Sequence, residues 1–94
     1  MSETFATFKT EYASRYLQQL CKHFGHKVPT SFTPTEGRVA LPFGECNFTA
    51  IDGLLTLRAT AAESRLPKVE RFLADHLARF AFREPHTLVW RRTA

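Results

Sequence analysis

The densest run of reactive side chains is Cys21-Lys22-His23-Phe24-Gly25-His26-Lys27, which holds one thiol and two imidazoles. These are metal-ligating groups, but their spacing does not suit a metal. On a helix, positions 21 and 23 point about 200° apart, so Cys21 and His23 do not reach one ion. His23 and His26 can meet near a helix end, which supplies two ligands where a closed site takes more. Imidazoles and lysines in the last turn of a helix also complement its negative dipole. The expectation is a surface rim at His23 and His26, with no metal and no cofactor, that serves an anion through charge and hydrogen bonding. Both imidazoles are expected to titrate near the ordinary value of about 6.5.

A second basic group lies in Arg79-Phe80-Ala81-Phe82-Arg83-Glu84-Pro85-His86. Burying the two Phe side chains would leave Arg79, Arg83 and His86 clustered outside as a site for carboxylate or phosphate. Glu84 competes with such a ligand for one guanidinium. His76 follows Phe72 by four and precedes Phe80 by four, which places it at the margin of an apolar helix face. No Ser or Cys nucleophile and no carboxylate is spaced to complete a relay with it, so the pattern favours binding over catalysis. The alternative is a nucleic-acid surface made of Arg38, Arg58, Arg91 and Arg92. It lacks a stacking platform, because Phe32 and Phe48 are predicted on the dry face of their strands. A domain that docks on an enzyme is the third reading.

The elements that position these groups follow from periodicity. Tyr12, Tyr16, Leu20 and Phe24 recur every four residues beside the row Ala13, Leu17 and Cys21, which predicts a helix over 10–25. Gly25 is the expected left-handed residue at its end, and Pro29 prevents its resumption. Four strands are predicted near 27–33, 37–42, 45–51 and 54–60, separated by Pro34-Thr35-Glu36-Gly37, Pro42-Phe43-Gly44 and the hairpin signal Asp52-Gly53. Val28, Phe32, Val39, Leu41, Cys46, Phe48, Ala50, Leu55, Leu57 and Ala59 are expected on the inward face. A second helix is predicted over 63–80, with Ser64 as its N-cap and Pro67 in its first turn. Arg71, Asp75 and Arg79 form a solvated ladder on its outer side. A last strand is expected over 86–91, and the stretch 4–8 is either an edge strand or a loose arm. The order α-β-β-β-β-α-β predicts a two-layer α+β domain, one largely antiparallel sheet with two helices on one face.

Length and composition agree with this. The 94 residues suffice for one domain spanning 1–94, and nine Phe residues argue for a packed core. The formal charge of +4 permits an acidic small molecule or a partner protein without requiring nucleic acid. No apolar run approaches a membrane span, and the charged start Met1-Ser2-Glu3 does not read as a signal peptide, so the expected compartment is the cytoplasm. Cys21 and Cys46 are then expected as reduced thiols.

The runs from Arg15 to Pro29, from Leu41 to Cys46 and from His76 to Glu84 resemble the small bacterial domain of unknown function 2218 family. The resemblance covers nearly the whole chain and implies a stand-alone member. It implies no established reaction. Related domains occur beside, or fused to, flavin-dependent siderophore-interacting proteins, which implies a link to iron–siderophore metabolism. The family's element order is similar to the TATA-binding-protein-like fold, which says nothing of function by itself.

Overall fold

In the computed structural model, which describes residues 2–81 and 88–93, eight regular elements run β1 (Ser2–Lys9), α1 (Ala13–Phe24), β2 (Thr30–Phe32), β3 (Glu36–Leu41), β4 (Gly44–Ile51), β5 (Leu54–Ala61), α2 (Leu66–Phe80) and β6 (Arg91–Thr93). The strands form one antiparallel sheet in the order β2-β3-β4-β5-β1-β6. Both helices pack on one face, as the alternation of apolar residues requires. Leu20, Phe24, Phe48, Leu57, Leu73 and Leu77 are buried together in that layer. Neither helix is long and apolar enough to cross a membrane.

The predicted order is recovered with one strand added in front. Residues 2–9 are neither an edge strand nor an arm, because β1 lies between β5 and β6. Its inward residues are Thr4, Ala6 and Phe8, and the first two carry too little apolar character to announce a buried strand. Thr4 is fully buried because its hydroxyl donates to the Glu70 carboxylate of α2 at 2.6 Å. Arg92 of β6 grips the same carboxylate from Nε at 3.1 Å and Nη2 at 2.9 Å. Three elements far apart in sequence are thereby joined at one carboxylate.

Other boundaries differ for local reasons. The Asp52-Gly53 hairpin is as predicted, with φ of 51° and 73° at its two central residues, the mirror-image turn that matches strand twist. Gly25 is not left-handed. It continues the helical turn at φ −61°, and its N–H bonds to the Cys21 carbonyl at 2.8 Å. Ser64 is not the cap of α2 but sits inside a single 3-10 turn at Glu63–Arg65, and Pro67 occupies the first turn of the helix as expected. Phe32 pairs with Gly37 on the inward side, as predicted, yet stays exposed because its strand is the three-residue edge of the sheet. Of the last strand predicted over 86–91, residues 86–87 lie outside the described residues, 88–90 are not strand, and β6 begins at Arg91. Cys21 and Cys46 are free and buried.

Candidate functional site

The amphipathic stripes of the two helices bring them together near the C-terminal end of α1 and the middle of α2. His23, in the last turn of α1, meets His76 of α2 with ring centroids 5.2 Å apart. His76 Nδ1 lies 2.7 Å from the Phe72 carbonyl oxygen, which only accepts, so Nδ1 carries a proton and donates it. Nε2 of His76 is left to accept an O–H or to take up a proton. Aromatic rings hold the pair in place. Phe72 lies 4.3 Å and Phe24 5.1 Å from the His76 ring, and Phe80 lies 6.1 Å from the His23 ring.

The turn between β3 and β4 closes the other wall. Pro42 and Phe43 line a cleft of about 200 Å³ together with Phe24 and Phe72, and Val28, Leu41, Lys27, His23 and His76 complete its lining. Phe43 meets Phe72 edge-on, at 6.2 Å and 85°, while Phe24 stacks against Phe72 at 5.5 Å and 22°. Gly44 fixes this turn against β5: a Cβ there would stand 2.6 Å from the Thr60 carbonyl oxygen and 2.9 Å from the Ala61 Cβ. The Lys68 ammonium lies over the Phe43 ring, 5.3 Å from its centroid.

The cleft is electropositive. Among the described residues its lining includes His23, His76 and Lys27 and no carboxylate. His23 does not keep the ordinary imidazole value. Burial, and then the charges of His76, Arg79, Lys27 and His26, push it down. The imidazole therefore sheds its proton more readily than a free histidine, and an anion set beside it would reverse that bias. The arrangement can seat an apolar body against the phenyl rings and hold a negative group at the Lys27–His23–His76 end.

The predicted residues distribute unevenly around this cleft. His23 lines it, and His26 is exposed in the turn beyond the helix. Arg79 is exposed one turn beyond His76, near enough to act on His23. Arg83 and His86 lie outside the described residues. Arg38, Arg58 and Arg91 share one row across the open sheet face, through the pairs Arg38–Asn47, Asn47–Arg58, Arg58–Phe5 and Phe5–Arg91. Glu45 pairs with Arg38 at 2.8 Å and Glu3 with Arg58 at 2.7 Å. Arg92 belongs to the opposite face, where Glu70 binds it. His76 and Lys27 also line the cleft, although the sequence reading sets His76 at the margin of an apolar helix face and places neither among the candidate ligand residues. The signal for His76 is the four-residue spacing that sets it between Phe72 and Phe80, but nothing in the sequence indicates that His23 is its neighbour.

A solved structure described as the NMR structure of PA4090 from Pseudomonas aeruginosa has the same fold. It is 30% identical to this chain, covers 97% of it and 96% of its own length, and superimposes with a TM-score of 0.81. The family model described as "Uncharacterized protein conserved in bacteria" matches residues 5–91. The chain belongs to the DUF2218 family. The match to DUF2218 runs from the middle of β1 into β6 and so includes both helices and every residue lining the cleft. No curated protein matches the chain.

Proposed function

We propose that this DUF2218 protein is a small binding protein that takes an organic anion in the cleft between α1, α2 and the β3–β4 turn. The observation that carries this reading is the lining itself, which combines Lys27, His23 and His76 with three phenyl rings and, among the described residues, no acidic side chain. A cation would meet the Lys27 ammonium and no carboxylate among the described lining residues, whereas an anion gains a lysine and two imidazoles able to donate once protonated. The iron–siderophore setting is compatible with such a ligand, since siderophores and their iron complexes are often acidic. A cleft of about 200 Å³ seats one arm or ring of such a compound rather than the whole. The buried thiols of Cys21 and Cys46 suit the reducing cytoplasm. The open sheet face supports a polyanion less well, because Arg38 and Arg58 already hold Glu45 and Glu3.

The test is an imidazole NMR titration with sodium benzoate at constant ionic strength. Saturable shifts at His23 and His76 are expected. Lys27→Met should weaken binding several-fold, and an Arg38→Gln, Arg58→Gln double variant should leave it unchanged. Absence of saturable shifts at His23 and His76 would overturn the reading, as would loss of binding in the double variant alone.

A further inference from the structure

The cleft has a shape as well as a charge. From it we infer that the ligand is a one-ring aromatic acid, seated with its ring in the corner between Phe43 and Phe72 and its anionic group toward Lys27, His23 and His76. This deepens the anion-binding reading and rests on it.

Three observations carry the inference. First, Phe43 stands edge-on to Phe72 at 85°, so two walls of the cleft meet as a right-angled corner. A planar ring placed there meets one wall face to face and the other edge to face, the two arrangements that aromatic quadrupoles favour. An aliphatic chain fills the same space without either. Second, the size fits. An apolar cavity of about 150 Å³ suffices for benzene. The cleft here is about 200 Å³, which leaves room for one ring and one small substituent. Third, the polar groups stand together. Lys27, His23 and His76 line the cleft, and the His23 and His76 rings lie within 5.2 Å of each other. The Phe72 ring, which meets Phe43 at 6.2 Å, also stands 4.3 Å from the His76 ring. A phenyl face and a basic group are thus close neighbours in the cleft, as a ring and its acidic substituent are close neighbours in the ligand.

A matched set of probes separates this inference from the reading beneath it. Benzoate carries ring and charge, cyclohexanecarboxylate the charge on a puckered ring, hexanoate the charge on a chain, and benzamide the ring without the charge. Each is titrated into the intact protein while the His23 and His76 imidazole resonances and the Phe43 and Phe72 ring resonances are followed. Benzoate should bind about tenfold more tightly than cyclohexanecarboxylate or hexanoate. Phe43→Leu keeps an apolar side chain at the half-buried turn and removes the ring. It should erase the preference for benzoate while the variant still binds all three carboxylates. Equal affinity of benzoate and cyclohexanecarboxylate for the unaltered protein overturns the aromatic inference and leaves the anion site standing. Benzamide binding as tightly as benzoate overturns the anion site itself. Silence at His23 and His76 with all four probes overturns both.

Discussion

The imidazole rings of His23 and His76 stand 5.2 Å apart, and through them the end of α1 and the middle of α2 meet at a shared polar edge of the core. The contact makes the charge of His23 depend on His76 and on the cations around it. His76 is held by its bond to the Phe72 carbonyl, and the His23 proton is destabilised by burial first and by its positive neighbours second.

That dependence has a sign. The folded value of His23 lies below the unfolded one, so the unfolded chain takes up its proton first as pH falls. Stability of the ligand-free protein should therefore decline as pH drops through about 6.5 toward the lower folded value. A bound anion favours the charged form, so its affinity should rise over the same range while the ligand stays ionised. Calorimetry in two buffers of different ionisation enthalpy should show proton uptake on binding benzoate. His76→Gln should move the His23 titration upward, because one of the opposing charges is gone.

Glu70 gives a second pH-dependent contact, of the same sign but in a more acid range. Its carboxyl is held below the usual range, first by hydrogen bonds from Arg92 and then by the Thr4 hydroxyl, with burial opposing both. The stability it contributes is present above about pH 4.5 and is lost as pH falls through the folded value. Thr4→Val keeps the shape and removes one donor to a charged acceptor, which should lower stability by about 1.5–3 kcal/mol at neutral pH. The difference between Thr4→Val and the unaltered protein should shrink in acid. Urea melts at pH 7 and pH 3 measure both quantities.

Burial pushes the Cys21 thiol up to about 11 and the Cys46 thiol up to about 12, in the latter case with a smaller push from Glu45. Thiolate is the reactive form, so both should resist an aromatic disulfide reagent at pH 8 in the folded state and react promptly in denaturant. Mass measurement without reductant should find two free thiols. Above about pH 9 the unfolded thiols ionise while the folded ones do not, so stability should fall with rising pH until the folded values are passed.

Gly44→Ala tests the placement of the β3–β4 turn. The added methyl would press on the Thr60 carbonyl, which belongs to the backbone of β5 and does not swing aside. Overpacking of this kind costs about 1–3 kcal/mol. The relief available to the chain is to move Phe43 away from Phe72, so benzoate affinity should fall together with the Phe43–Phe72 ring contacts seen by NMR. Leu73→Ala, which opens the core, should cost about 2–5 kcal/mol.

Local chemistry and period sufficed for most of the fold. Rows four residues apart marked both helices, alternation marked the inward face of β3, β4 and β5, and Asp52-Gly53 marked its hairpin, because each of these depends on neighbours close in sequence. They also placed His23 correctly, in the last turn of a helix whose apolar stripe it borders. What the sequence could not decide were the relationships that depend on elements meeting. β1 was hidden because Thr4 is a buried polar residue, tolerable only through its bond to Glu70 of α2. His23 was paired with His26, its neighbour in the chain, when the helix packing pairs it with His76. The arginines of the open face have no partner legible in the sequence, because the register of β3 with β4 and of β5 with β1 is what sets Arg38 and Arg58 within reach of Glu45 and Glu3. Side-chain period is a property of one element, but a site is a property of the angle and register at which two or three elements pack. Those are set by the whole core at once.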